Sequence, residues 1–290
     1  MDTVALGLIG LGNMGLPVAA RLASQGRQVL VYDANTAQRE RAVDAGAMHA
    51  ASAAQVAQEC GVIVLSLPTP TVVRSVVTDL LRHASAGSVI VDLSTNDPGT
   101  AREMATAAAA CGVAYIDSPV SGGPARAATG ELTLMVGGDE PVVKSVWPIL
   151  VAIGKQVEHV GPVGCGCIAK LLNNYVALWG MIGVSQAFLA ASSMNISSDR
   201  LYEVMARSSG QSYALSRNFP KIRSGDFSPN FSLTLAEKDL RLALQLMNDA
   251  GLTSFAEEEV RALFETSAQQ RGDKDVAAIY ETLAARGAPR

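Results

Sequence analysis

Histidine is scarce, with three in 290 residues (His49, His83 and His159), and none stands at H-x-x-H or H-E-x-x-H spacing. Metal centres built on paired imidazoles are thereby excluded, and Cys165-x-Cys167 lacks the second ligand pair of a zinc site, so no metal is expected. Each histidine reads as a surface or strand-end residue. Cysteine is nearly as rare, and the four present (Cys60, Cys111, Cys165, Cys167) do not form a disulfide framework in a chain of this length. Cys165 and Cys167 lie too close together for easy mutual bridging, which points to reduced thiols and a cytoplasmic setting. No excess of positive charge exists: 23 Lys and Arg face 27 Asp and Glu, a net charge of -4 with no basic run. That excludes the phosphate-neutralising footprint of nucleic-acid binding. Apolar runs of membrane-spanning length are also missing. The most membrane-like segment, Tyr175 to Ala191, is broken by Ser185 and Gln186 and falls short of the roughly 20 apolar residues of a span, so it reads as a buried helix and no membrane is expected. The acidic start Met1-Asp2-Thr3 has no basic n-region or apolar h-region, so no export is expected.

What is present is an apolar chain, 49% hydrophobic and 17% charged, long enough for two domains at about 100–200 residues each. Val4 to Gly10 and Gln28 to Asp33 are apolar runs flanking a helical stretch from Asn13 to Ser24, a βαβ unit. Further strand-like runs at Val62 to Leu67, Val89 to Leu93, Val113 to Ile116 and Leu132 to Val136 alternate with helix-compatible segments such as Thr71 to Leu81 and Pro98 to Ala110. This pattern predicts an α/β fold whose N-terminal domain, residues 1–163, is a doubly wound parallel sheet of the Rossmann type. Gly161 to Gly166 breaks the chain, and no strand pattern follows. Residues 164–290 therefore read as an all-α domain. It opens with a long interdomain helix near Gly166 to Met194 and continues through Ser198 to Arg207, Leu233 to Ala250 and Phe255 to Gln270, with a tail at Gly287 to Arg290. From Tyr175 the long helix carries more apolar surface than one small domain covers, which predicts a homodimer or homotetramer.

Gly10-Leu11-Gly12-Asn13-Met14-Gly15 is a G-x-G-x-x-G that follows a strand and opens a helix, with Asp33 21 residues beyond Gly12 at the end of the next strand. Gly10 makes the tight turn, Gly12 lets the backbone approach a pyrophosphate and Gly15 packs helix on strand, while the helix N-terminus, with Asn13 and Met14, offers N–H groups. A carboxylate at Asp33 suits ribose hydroxyls and repels a 2′-phosphate, so NAD is expected over NADP. Arg39, in the next helix, keeps NADP open unless it belongs to a solvated face. Leu67, Pro68 and Thr95 stand at the carboxyl ends of strands, where doubly wound folds contact their cofactor.

With metal and histidine set aside, oxidation of a carbinol needs another proton acceptor, and Lys170 is the best placed. Its neighbours Ile168, Ala169, Leu171 and Leu172 are apolar, and burial lowers a lysine pKa. Asn174 lies one turn on along the same helical face. By itself, a Lys with an Asn four residues later also describes a solvated helix surface.

The run Gly164-x-Gly166-x-x-x-Lys170-x-x-Asn173-Asn174 resembles the catalytic helix of the β-hydroxyacid dehydrogenase family, which includes 3-hydroxyisobutyrate dehydrogenase and tartronate semialdehyde reductase. Gly7 to Gly15 resembles that family's N-terminal signature, Asp92-Leu93-Ser94-Thr95 its nicotinamide-side loop, Asp117 to Gly123 its substrate loop and Glu237-Lys238-Asp239-Leu240 a motif of its helical domain. The resemblance spans nearly the whole chain. It implies an NAD-dependent oxidoreductase interconverting a small 3-hydroxy carboxylate and its semialdehyde or ketone. Lys170 would then be the acid/base and Asn174 its orienting partner; Ser121, Gly122 and Gly123 would hold the substrate carboxylate, and Lys238 would reach the active site. Successive glycines after a strand present anion-binding N–H groups, though they also make a plain turn. Asn173-Asn174 replaces the His-Asn pair of decarboxylating phosphogluconate dehydrogenases, and Lys170 is generally lacking in imine reductases, so neither activity is expected. The alternatives are a non-catalytic NAD-binding sensor or scaffold and an NADPH-dependent semialdehyde reductase of the same family. Cys165 and Cys167 flank Gly166 one turn before Lys170, and their alkylation or oxidation is expected to block activity.

Overall fold

The computed structural model describes residues 6–287. The Val4 and Ala5 start of the first expected strand, the Met1-Asp2-Thr3 terminus and residues 288–290 of the expected tail lie outside the described residues. The chain divides into two compact units, residues 1–170 and 171–290.

In the first unit, β1 (Leu6–Ile9), α1 (Gly15–Ser24), β2 (Val29–Tyr32), α2 (Thr36–Asp44), β3 (Met48–His49), α3 (Ala53–Glu59), β4 (Val62–Leu65), α4 (Pro70–Leu80), β5 (Val89–Asp92), α5 (Pro98–Ala110) and β6 (Ala114–Asp117) alternate. Then come β7 (Val120–Ser121), α6 (Gly123–Thr129), β8 (Thr133–Gly137), α7 (Glu140–Ile153) and β9 (Gln156–Gly161). Helix starts follow capping chemistry: Asn35, Ser52, Thr69 and Asp97 each accept an N–H from the first turn of α2, α3, α4 and α5, and Pro70 and Pro98 open α4 and α5. Strands β1, β4 and β5 are buried on both faces, which is why they read as continuous apolar runs. Alternate residues enter opposite cores. Leu8, Val31, Val64 and Val91 pack with Val18, Leu22 and Leu150 on one side, and Ile9, Leu30, Ile63 and Ile90 with Val73, Val77 and Met104 on the other.

The sheet runs β3-β2-β1-β4-β5-β6 in parallel, as expected of a doubly wound domain, and departs from that expectation afterwards. β8 is antiparallel to β6 and β7, and β9 is parallel to β8. Helix α6, at 7 residues, extends only about 10 Å at 1.5 Å per residue, too short to carry the chain back for another parallel strand. Strands β3, β7 and β9 were not foreseen. The exposed Met48 and His49 of β3, and Gln156, Glu158, His159 and Val160 of β9, lack the apolar alternation that marks a half-buried strand.

Helix α8 (Cys165–Ser193) starts in the first unit and runs into the second, where α9 (Ser198–Met205), α10 (Tyr213–Ser224), α11 (Leu233–Asp249), α12 (Glu257–Arg271), a 3₁₀ turn (Val276–Ala278) and α13 (Ile279–Gly287) follow. By length and composition α8 qualifies to cross a membrane. Its Leu178, Met181, Val184 and Phe188 instead join Phe219, Leu240, Leu263 and Phe264 in the core of the helical unit. Helix α10 escaped the sequence pattern because Pro220 sits inside it; Ser212 caps its start. The expected helix from Phe255 begins at Glu257, because Ala256 takes φ +50° and Phe255 turns outward, 87% exposed.

One buried carboxylate organises the loops of this unit. Asp275, fully buried, accepts hydrogen bonds from the Arg217 guanidinium (3.0 Å) and from the N–H groups of Asn230, Phe231 and Ala277. Truncating one partner of a buried pair strands the other charge, so Asp275→Ala is expected to destabilise the protein by about 3–5 kcal/mol. A thermal melt that matches wild type contradicts this.

Candidate active site

The glycine loop after β1 is packed to its limit on one side and open on the other. A Cβ on Gly15 would lie 1.8 Å from the Gly10 carbonyl oxygen, and one on Gly10, whose φ is +92°, would lie 2.3 Å from the Ser66 oxygen. A Cβ on Gly12 would meet nothing within 4 Å. No side chain caps the first turn of α1. The loop therefore has the shape of a cradle in which backbone N–H groups can receive a pyrophosphate. Asp33 fastens it: Oδ2 accepts from Leu11 N at 2.6 Å and Oδ1 from Asn35 N at 2.7 Å. Each oxygen retains a second lone pair for a ribose hydroxyl. Arg39 donates to the Asp33 backbone oxygen and to Thr36 Oγ1, and its guanidinium lies 5.6 Å from the centre of the Tyr32 ring.

The loops after β4 and β5 are tied together. Ser94 Oγ accepts from Leu67 N at 2.8 Å, which links the Leu67-Pro68 segment to the one carrying Thr95. Beneath them Asp92, 1% exposed, accepts from Ser94 N, Asn96 Nδ2 and the Tyr115 hydroxyl. Burial raises the Asp92 carboxyl above its usual range, and these hydrogen bonds oppose the rise. At the β7–α6 junction Ser121 is half-buried, and Gly122 and Gly123 take φ +134° and +77° in succession, a backbone that side-chain-bearing residues rarely adopt.

Lys170 is 8% exposed and stands on α8. The start of that helix is held by Asp117, whose Oδ1 accepts from Gly164 N (2.7 Å) and Oδ2 from Cys167 N (2.8 Å). Four free thiols are present. The expectation that both Cys165 and Cys167 are open to modification is corrected for Cys167, which is 1% exposed. Burial, followed by the carboxylates Asp117 and Asp92, pushes its thiol well up. A protonated thiol without solvent access is inert. Cys60 behaves likewise, with burial pushing it up to about 11.

In the helical unit a second polar group forms. Asn174, 7% exposed, donates from Nδ2 to Asp239 Oδ2 at 2.6 Å, and Asn173 Nδ2 donates to Asn174 Oδ1 at 3.1 Å. Asp239 also pairs with Lys238 Nζ at 3.0 Å. Asp239, only 2% exposed, is the residue that sequence reasoning quoted within a motif and left without a role. Its place beside Lys238 was the available signal.

Comparison with known proteins decides what this arrangement belongs to. Residues 5–161 match the family described as the NAD binding domain of 6-phosphogluconate dehydrogenase. Residues 164–283 match the family described as NAD-binding of NADP-dependent 3-hydroxyisobutyrate dehydrogenase. The 2-(hydroxymethyl)glutarate dehydrogenase of Eubacterium barkeri is 37% identical over 84% of this chain and 82% of its own length. The 3-sulfolactaldehyde reductase of Escherichia coli is 33% identical over 96% and 95%. The solved structure of Mycobacterium tuberculosis 3-hydroxyisobutyrate dehydrogenase with L-serine superposes with TM-score 0.89 at 32% identity, covering 97% of this chain and 99% of that one. The chain belongs to the β-hydroxyacid dehydrogenase family.

As a member of that family the protein is an oxidoreductase with an NAD(P)-binding domain. The different clearances at Gly12 and Gly15 are expected to separate cofactor binding from folding. Gly12→Ala is expected to keep the wild-type melting temperature while weakening dinucleotide affinity at least about tenfold, since its methyl enters the cradle. Gly15→Ala overpacks the β1–α1 turn and is expected to destabilise by about 1–3 kcal/mol. Dinucleotide titration and thermal melts check both, and a Gly12→Ala protein with unaltered affinity contradicts the cradle.

Proposed function

We propose that this protein interconverts a small 3-hydroxy carboxylate and its semialdehyde or ketone, with Lys170 as the acid/base. The observation that carries this reading is the burial of Lys170 and Asn174, at 8% and 7% exposure, one helical turn apart, with the Asn174 amide set by Asp239. A solvated helix face is thereby ruled out. One N–H of Asn174 Nδ2 is spent on Asp239, which leaves the other to donate to a substrate oxygen. Lys170 Nζ takes the carbinol proton in the oxidative direction and returns it in the reductive one. When bound, the dinucleotide supplies the hydride acceptor or donor. Ser121, Gly122 and Gly123 supply donors for the carboxylate, and Lys238 adds positive charge on the substrate side. The names of the relatives support this class: their substrates are a hydroxymethyl dicarboxylate, 3-hydroxyisobutyrate and a sulfonated aldehyde. Self-association belongs to the same reading and is supported by the exposed Val176 and Phe255 of the helical unit.

NAD is the cofactor we assign, because the Asp33 carboxylate stands where a 2′-phosphate would be repelled, and Arg39 is already engaged by the Asp33 backbone oxygen and Thr36. Wild-type kcat/KM is expected to favour NAD over NADP by at least about tenfold, and the double change Asp33→Ser with Ala34→Arg to reverse the order. A wild-type preference for NADPH contradicts the assignment.

The function is tested by following absorbance at 340 nm with 3-hydroxyisobutyrate, 3-hydroxypropionate, serine, glycerate and threonate beside matched alcohols lacking the acid. Loss of the anion is expected to lower kcat as well as raise KM, because its binding orients the reacting carbon. Lys170→Ala is expected to lower kcat at least about 10²-fold with dinucleotide binding retained. Equal kcat/KM for an alcohol and its carboxylated counterpart removes the hydroxyacid reading.

A further inference from the structure

Asp117 ends β6 and is 1% exposed, yet no ligand-facing role accounts for its burial. Both of its oxygens are spent on one distant target. Oδ1 accepts from Gly164 N, 47 residues along the chain, at 2.7 Å, and Oδ2 from Cys167 N, 50 residues along, at 2.8 Å. The first N–H groups of a helix have no partner within it. Here a single carboxylate from the sheet satisfies two of them, one just before α8 and one in its first turn. A one-point cap leaves a helix free to rotate about the contact; a two-point cap removes that rotation. The negative charge also lies at the positive end of the α8 macrodipole.

The fit around this carboxylate is close. A Cβ on Gly137, the residue of β8 paired with Asp117, would come 2.5 Å from Oδ1 and 2.8 Å from Gly166 N. A Cβ on Gly166 would come 2.3 Å from the Met135 oxygen and 2.9 Å from Asp117 Oδ2. The helix start is thus pressed against β6 and β8 with hydrogen atoms where side chains would be. Lys170 follows Cys167 by three residues, which at 1.5 Å per residue is about 4.5 Å along the axis. Any shift of the first turn therefore reaches the lysine almost undiminished.

We propose that Asp117 is a positioning residue for Lys170: its carboxylate latches the first turn of α8 to the sheet and so sets where the lysine amine stands. Two glycines, Gly137 and Gly166, complete the latch by letting helix and strands close around it. Burial raises the Asp117 carboxyl and the two N–H bonds hold it back, which is the balance expected of a dry carboxylate whose partners are backbone donors. Asp117→Asn keeps the shape, but either orientation of the amide sets an NH₂ against Gly164 N–H or Cys167 N–H. The helix start must then move. Displacements of about 1 Å at a reacting group cost up to about 10²-fold in rate.

The inference rests on Lys170 being the acid/base, and a double-mutant cycle separates the two ideas. The kcat of wild type, Asp117→Asn, Lys170→Ala and the double variant is measured at saturating dinucleotide. Asp117→Asn is expected to lower kcat at least about tenfold while the KM for dinucleotide stays within about twofold. Placed on Lys170→Ala, the same change is expected to lower the residual turnover by less than about twofold, because there is no amine left to misplace. Equal losses in the two backgrounds, or an undiminished kcat for Asp117→Asn, overturn the latch and leave Lys170 in its role. Full turnover by Lys170→Ala removes the acid/base reading and the latch with it. Should Asp117→Asn fail to fold, amide hydrogen exchange on the wild-type protein decides: Gly164 and Cys167 are expected to exchange as slowly as the strands of the sheet, and exchange at loop rates overturns the proposal.

Discussion

Two carboxylates buried side by side govern the carboxyl edge of this sheet. Asp92 and Asp117 are the last residues of β5 and β6 and are in register with one another. Each is 1% exposed. Each accepts converging hydrogen bonds: Asp92 from Ser94 N, Asn96 and Tyr115, Asp117 from Gly164 N and Cys167 N. Burying a charge costs several kcal/mol unless donors converge on it. The donors come from the Leu93 to Asn96 loop, from Tyr115 of β6 and from the start of α8. The ordering of those segments and the neutralisation of those charges are one event.

This arrangement accounts for features that otherwise look unrelated. Cys167 sits where both carboxylates act on it, which raises its thiol further and keeps it protonated, so a buried cysteine here serves as a small filler. Tyr115 donates its hydroxyl to Asp92, and burial with that neighbouring charge raises the phenol as well. A group of acids and weak acids this close is tolerated because Tyr115 donates to Asp92 and backbone N–H groups donate to both carboxylates. Removing any one donor leaves the others with a charge they were not arranged to carry.

Much of the fold was legible because its signals are local. Gly10, Gly12, Gly15 and Asp33 fall within one βαβ unit, and β1, β4 and β5 are buried on both faces, so their sequences are continuous apolar runs. The elements that stayed hidden have physical reasons for doing so. β9 is an exposed strand of Gln156, Glu158 and His159. Helix α10 contains Pro220. The antiparallel turn of β8 follows from the length of α6, which no periodicity reports. At the site, Lys170 and Asn174 were readable as a pair because they share a helix. Asp239 was not, because its partner Asn174 is 65 residues away. Asp117 was visible only as part of a loop motif, and its contacts with Gly164 and Cys167 exist only in three dimensions.

The same distinction bears on how α8 works. Lys170 follows a first turn capped by Asp117 of the sheet, and Asn174 is bonded to Asp239 of α11. Two side chains four residues apart on one helix are therefore set by two different carboxylates, each from a different compact unit of the chain. A helix alone fixes the spacing of its residues along the axis but leaves their rotamers and its own rotation free. The two acids remove that freedom at separate points. Asn174, in the second unit, has its amide orientation chosen by a hydrogen bond to Asp239. With the roles proposed for Lys170 and Asn174, substitutions that disturb one acid are thus expected to affect proton transfer and oxygen orientation separately, which a helix held at a single point would not allow.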